Sequence, residues 1–311
     1  MSSKMAAQTA ASTAAAPMGR EQWSLLLLLS VLWGGSFLFV GIAIKELPPL
    51  TIVLVRVGLA ATLLAPVLWM KGLALPATMA AWLPFVIMGA LNNVIPFTLI
   101  AFGQQTVASG LASILNATTP LFTLIIAHIF TADEKLRSSR FAGVLIGIAG
   151  VGVLMGPEAI AGRTSSLLGM SLCLAGCISY GFAALWGRRL RSTPPLVSAT
   201  AQLLSSTAIL GLLVLVLERP ASIALPSPHV TLALIGLAAL STSIAYVIFF
   251  RLLVSVGPTN TMLVTLLIPV WGIFLGAVVL AEALMLRHLI GAIVIGSGLL
   301  LIDGRLLSRR S

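Results

Sequence analysis

The 311-residue chain is 59% hydrophobic and only 8% charged, with a net charge of +10 and a mean hydropathy of +1.12. A soluble domain carries roughly 25% charged residues, so a surface this poor in charge excludes water as the main solvent and leaves lipid. The basic residues sit between apolar runs, with no basic stripe interleaved with aromatics, which argues against a nucleic-acid partner and for loops held against anionic lipid.

Residues 1–21 are rich in Ala, Ser and Thr and read as a disordered cytoplasmic tail. Ten apolar runs follow, at approximately 23–44, 50–70, 79–103, 107–130, 141–157, 166–187, 196–217, 230–250, 259–281 and 287–302. Most approach the roughly 20 residues that cross a bilayer; the fifth and tenth are short and Gly-rich. The first run is long for a signal peptide, and "IKELPPL" follows it instead of a small-residue cleavage site, so it reads as an uncleaved span. Residues 304–311 form a second short tail. The fold class expected is an all-α polytopic membrane protein. Cys173 and Cys177 lie one helical turn apart in one run and read as small packing residues. No Cys/His cluster has metal-ligand spacing, so no metal and no cofactor is expected.

Placing the N-terminus in the cytoplasm puts thirteen Lys and Arg residues inside and four outside, with Arg56 left within a span. The bias supports that orientation, a cytoplasmic C-terminus and the count of ten. The chain also repeats itself. "PPL" at Pro48-Pro49-Leu50 returns at Pro194-Pro195-Leu196, an offset of 146; Pro120 and Pro269 are offset by 149; Glu134 and Glu282, and Gly143 and Gly291, by 148. The polar pair Asn92-Asn93 precedes Ser241-Thr242 by 149. Each unit holds five spans, an odd number, so the second copy enters the membrane inverted. The loop charges agree: Lys135, Arg137 and Arg140 follow the fourth span, whereas Arg287 and His288 follow the ninth. Inverted repeats recur in secondary transporters, with substrate bound at the repeat interface.

"VLWGGSFLFVGIAIK", "LVR", "TTPLFTLIIAHIFTADEKL" and "GVLIGIAGVGVL" in order resemble one EamA repeat. "STSIAYVIFF", "LIPVWGIFLGAVVLAEAL" and "LIGAIVIGSGLLL" resemble a second. The likeness assigns residues 22–157 and 165–303 to two EamA-like units of the drug/metabolite transporter superfamily. It implies a ten-helix bundle around a central cavity that exports amino acids or other small metabolites.

Several residues interrupt the apolar runs. Pro120 removes the helical donor for the Asn116 carbonyl, and Pro269 does so for Thr265. In lipid each orphan would cost several kcal/mol, so both segments are expected to face protein, water or a ligand. Cavity lining and a structural kink both satisfy that requirement. Arg56 within the second span either binds a substrate carboxylate or pairs and snorkels to the membrane edge. Asn92, Asn93, Ser241, Thr242 and Tyr246 place polar groups at matching depth in both units, for substrate or for interhelical hydrogen bonds. Trp33, Ser36, Tyr180 and Trp271 are candidates for the cavity wall. His128 is the histidine within a span, a proton relay or a packed side chain. Glu134 and Glu282 lie past their helix ends and read as loop caps or anchors. Gly143 and Gly147 form a GxxxG, expected to pack within the molecule and not to dimerise it.

The function expected is outward transport of a small-molecule substrate by a monomer in the bacterial inner membrane, with no catalytic residues. A multidrug carrier of the same fold and a membrane enzyme acting on lipid-linked substrates are the alternatives.

Overall fold

The computed structural model describes residues 18–131, 138–156, 164–218, 223–283 and 285–303. The two tails and most of the loops after the fourth and fifth spans, including Glu134, Lys135, Arg137 and Arg163, lie outside the described residues. Ten spans run in order: α1 (Arg20–Ala43), α2 (Pro49–Met70), α3 (Met79–Gly103), α4 (Ser109–Phe130), α5 (Ser138–Met155), α6 (Thr164–Gly187), α7 (Pro195–Leu217), α8 (Pro228–Ala238 continuing through Ala245–Thr261), α9 (Val264–Leu280) and α10 (Leu286–Asp303). Seven are long and apolar enough to cross a membrane; α5, α9 and α10 hold shorter apolar stretches. Leu212, Val216 and Ile293 stand 67%, 74% and 71% exposed on the outer surface, an arrangement that suits lipid and not water.

The local chemistry explains the helix starts. Pro49, Pro195 and Pro228 occupy first turns, where a missing N–H costs nothing. Thr78 and Ser227 accept from Ala81 N and Val230 N as N-caps. One boundary differs from the apolar pattern. α8 is interrupted at Gly257 (φ 76°), and residues 258–261 form a separate helical turn before α9 begins at Val264. Before that break, Arg251 forms an exposed ion pair with Glu21 of α1.

The bundle is all-α, with two inverted five-helix repeats. α2 packs on α7, α5 on α10 and α4 on α9, and the contact of α1 with α9 is matched by that of α6 with α4. The glycines of α5 and α10 meet each other: a Cβ at Gly143 would stand 2.7 Å from the Gly298 carbonyl oxygen. That GxxxG therefore packs within the molecule.

Both α3 and α8 contain one π-helical turn, Ala90–Val94 and Ala239–Ile244, the second starting 149 residues after the first. The polar pairs lie in these turns. Small side chains satisfy the loosened backbone: Thr242 Oγ1 and Ser243 Oγ donate five residues back to Leu237 O and Ala238 O, at 2.9 and 3.0 Å. Ser179 Oγ of α6 donates to Leu91 O at 2.7 Å.

The two ends of the bundle differ. At the end carrying Ala43, three carboxylates each cap a helix of the other repeat. Glu218 accepts from Leu50 N (2.9 Å), Thr51 N (2.7 Å) and Thr51 Oγ1 (2.7 Å). Glu282 accepts from Ser109 N (2.7 Å) and Gly110 N (3.0 Å), the loop cap expected of it. Glu46 accepts from Ser227 N (2.8 Å) and Ser227 Oγ (2.7 Å). Each supplies acceptors to the orphan donors and positive dipole of a helix start.

Candidate functional site

A cavity of about 660 Å³ lies between the repeats. Its walls run from Met262 and Ile302, at the end carrying Arg20, to Val40 and Gln104, just beneath the carboxylate caps of the other end. Seven aromatic rings stand among its aliphatic lining. Trp33 meets Phe249 at 5.4 Å between centroids, Phe97 meets Tyr180 edge-on at 6.4 Å, and Tyr246 meets Phe250 at 6.1 Å. Such a wall suits an amphiphile with an apolar body.

Arg56 enters from α2 and is 8% exposed. Its Nε donates to Thr242 Oγ1 at 3.0 Å, and its guanidinium carbon stacks 3.6 Å from the Phe97 centroid. The ring face offsets part of the cost of burying the charge. Among the described residues no carboxylate and no hydrogen-bond partner reaches its two terminal nitrogens.

A hydrogen-bonded row drawn from both repeats lies beside it. Asn92 Nδ2 donates to Gln202 Oε1 at 3.1 Å and toward the Tyr246 hydroxyl at 3.4 Å. Tyr246 in turn donates to Asn93 Oδ1 at 2.9 Å, and Asn93 Nδ2 donates to Ser206 Oγ at 3.1 Å. The row locks α3, α7 and α8 together and fixes the tyrosine ring in the wall.

The proline in α4 breaks its helix. Ser109–Asn116 ends, and Thr119–Phe130 begins with Pro120 in its first turn. The Asn116 carbonyl finds a local donor, Thr119 Oγ1 at 2.8 Å, and Thr118 Oγ1 donates to Leu115 O at 2.6 Å. The threonines before the proline thus satisfy the break without ligand or water. Asn116 and Gln104 both line the cavity, and Asn116 Oδ1 and Gln104 Oε1 are buried without a hydrogen-bond partner.

The sequence profile of the EamA-like transporter family matches residues 22–156 and again 167–303. The chain belongs to the EamA-like transporter family. This EamA-like protein is 27% identical over 290 residues to a probable amino-acid metabolite efflux pump of Escherichia coli strain K12, covering 91% of this chain and 94% of the relative. It is 28% identical over 252 residues to the inner membrane transporter YedA of the same strain, covering 81% and 80%. It is 23% identical over 274 residues to the transporter YoaV of Bacillus subtilis, covering 88% and 94%. A solved structure titled only as the crystal structure of a protein superposes with a TM-score of 0.66 at 19% identity, over 94% of this chain and 99% of that one, and shares the fold.

Of the residues singled out in the sequence of this EamA-like protein, the cavity brings together Trp33, Ser36, Arg56, Asn92, Asn116, Pro120, Tyr180, Tyr246 and Thr265. Asn93, Ser241 and Thr242 stand one layer behind, fully buried. Successive helical residues point about 100° apart, so when Asn92 faces the cavity Asn93 faces Ser206. Pro269 stays inside a continuous α9 and off the wall, although its residue Thr265 is on it. Trp271 packs against Gly34 of α1, where a Cβ would stand 2.6 Å from its own, and turns its ring to Phe274 at 6.2 Å. His128 occupies the last turn of α4, away from the cavity wall. The sequence reading passed over Gln202, Gln104 and Phe97. Gln202 was within reach of the repeat: it follows Arg56 by 146, the same offset as "PPL".

Proposed function

We propose that this EamA-like transporter is a secondary transporter that exports amino acids or similar small metabolites across the bacterial inner membrane by alternating access. Both termini are cytoplasmic in this reading, which the bias of Lys and Arg between loops supports. The bundle end carrying Arg20 is then the cytoplasmic one. The observation that carries the reading is a cavity between inverted repeats that reaches the Arg20 end and stops beneath carboxylate caps, all three of which join one repeat to the other. That is the arrangement expected of a carrier loaded from inside and sealed outside. Rocking of the repeats would break the caps and expose the same walls outward.

The substrate path in this reading is the cavity wall, with Arg56, Asn92, Asn116 and Tyr246 as its polar contacts and Trp33 and Tyr180 as its apolar ones. Asn93, Ser241 and Thr242 support them from behind. The work is translocation, with no covalent chemistry and no cofactor. The relative named as an amino-acid metabolite efflux pump supports the choice of cargo.

Counterflow in proteoliposomes tests the reading. Vesicles preloaded with an unlabelled amino acid are expected to accumulate the radiolabelled form several-fold above protein-free vesicles. Cysteines placed at Thr123 and Thr265 are expected to react with water-soluble thiol reagents from at least one side. No counterflow across a panel of amino acids and metabolites, together with inert cysteines from both faces, would overturn it.

A further inference from the structure

Arg56 has a repeat mate, and the mate is neutral. Gln202 occupies the equivalent place in α7, 146 residues on, and also lines the cavity. The two positions work alike within the scaffold. Each holds the π turn of the opposite repeat, Arg56 through Thr242 and Gln202 through Asn92. Holding a π turn therefore requires only a polar side chain, which glutamine already provides. A permanent cation at residue 56 is unnecessary for that task and costly to keep dry.

What the cation does beyond the scaffold is visible in its free side. The Nε edge is used on Thr242, and the face lies on Phe97. Among the described residues the terminal nitrogens have no partner, and the described carboxylates of Glu21, Glu46, Glu218 and Glu282 are engaged elsewhere in contacts at the bundle ends. A guanidinium presents those donors in a plane that fits the two oxygens of a carboxylate. A second group lies at matching depth. Arg56 follows Pro49, the start of α2, by seven residues, as Asn116 follows Ser109, the start of α4 at the same end. Both thus sit about 10 Å below that end. Asn116 lines the cavity, and its buried Oδ1 acceptor has no partner.

We infer that the cavity is a receptor for a free carboxylate on an apolar body, with Arg56 as the anion-binding residue and Asn116 Oδ1 as the acceptor for an N–H of the same molecule. This rests on the transport reading and narrows it. Zwitterionic apolar amino acids satisfy both groups, simple apolar acids only Arg56, and amides and cationic amphiphiles not Arg56. A carrier of cationic drugs would not keep an uncompensated arginine in its pocket.

The test uses three probes with one body: L-phenylalanine, 3-phenylpropionate and L-phenylalaninamide. Binding to the full-length protein in nanodiscs is read by calorimetry. L-phenylalanine is expected to bind most tightly, 3-phenylpropionate next, and the amide at least 10-fold more weakly than the amino acid. Arg56→Gln, which copies Gln202, is expected to erase the preference for acid over amide, and Arg56→Lys to restore part of it. Thermal unfolding of each variant is followed separately, because a purely structural arginine would lower stability and leave the headgroup preference unchanged. The assignment to Arg56 is overturned if the amide matches the amino acid, if Arg56→Gln keeps the preference, or if none of the three binds at millimolar concentration. Equal binding of L-phenylalanine and 3-phenylpropionate overturns the role of Asn116. Binding in the expected order with no translocation of any probe in proteoliposomes would strike the transport reading and leave the receptor standing.

Discussion

The two ends of the bundle are built from the same spans but held in different ways. At the Ala43 end, three carboxylates reach across the repeat boundary into helix starts, and together they accept seven hydrogen bonds. At the Arg20 end, an ion pair joins Arg251 to Glu21, with side chains 64% and 61% exposed. The cavity follows that division, since its lining is buried at the Ala43 end, at Val40, Ile52 and Gln104, whereas Met262 at the Arg20 end is exposed. The closed end is therefore not closed by apolar packing alone. Charge-to-dipole contacts join the two halves there, and under the proposed alternating access they must part for the end to open. Such contacts are directional and lost over a small displacement, which suits a gate better than a greasy interface that slides.

The largest effect is expected at Glu218 and Glu282. Both are partly buried, and their removal leaves two backbone donors without acceptors at a helix start. Hydrogen bonds to charged groups contribute about 1.5–3 kcal/mol each site, so Glu218→Ala is expected to cost about 2 kcal/mol of unfolding free energy, and Glu282→Ala somewhat less for want of a hydroxyl donor. Where the loss falls on the sealed state only, about 2 kcal/mol shifts its population by up to about 30-fold. The measurement is labelling of a cysteine at Thr123 by an impermeant thiol reagent added from the Ala43 side. Faster labelling in Glu218→Ala than in wild type is the expected result. An unchanged rate, with the protein folded, would mean that this end is held by packing and the carboxylates are incidental.

The sequence disclosed the frame of this arrangement and not its clasps. Ten runs were visible because a bilayer imposes a length, and the repeat was visible because prolines and glycines keep their order. The π turns were not, because a single extra residue in a helical turn leaves no compositional mark. Only the polar pairs hinted at them, and those pairs, Asn92-Asn93 and Ser241-Thr242, lie within the turns. Pro120 and Pro269 looked equivalent in sequence but are not in structure. Threonines at 118 and 119 let α4 break, whereas α9 absorbs its proline in a continuous helix. The inter-repeat caps were illegible for another reason. Glu218 and Leu50 are 168 residues apart, and no local pattern couples a carboxylate past one helix to the start of another. For Glu282 the sequence leaves an anchor and a loop cap open, and nothing in it names the partners at Ser109 and Gly110.

A smaller effect is expected at Glu46, and it is one of pH. The Ser227 N–H and hydroxyl donate to its carboxylate and hold it below the ordinary glutamate value of 4.5. A lowered folded value means that the contribution is fully present above pH 4.5 and is lost as the pH falls through the lowered value. Through this residue stability is therefore expected not to vary with pH near 7, where its full contribution is present and is missing from Glu46→Gln. Its stability should fall between pH 4.5 and lower values by more in wild type than in Glu46→Gln. The difference between the two acid unfolding profiles isolates Glu46 from the other carboxylates. Coincident profiles would remove it from the seal.

The smallest effect is expected where the comparison is weakest, at the Arg20 end. Exposed ion pairs contribute between 0 and about 1 kcal/mol and are screened by salt. Arg251→Ala is accordingly expected to change unfolding free energy by about 0.5 kcal/mol or less, and by nothing measurable at high ionic strength. It should also leave labelling from the Arg20 side unchanged, because the cavity already reaches that end with the pair intact. The contrast with Glu218→Ala carries the argument. If Arg251→Ala speeds access from its side as much as Glu218→Ala does from the other, the ends are equivalent gates and the asymmetry of their chemistry has no mechanical meaning. If only the carboxylate variants change access, the resting protein is a cup whose lid is made of three glutamates.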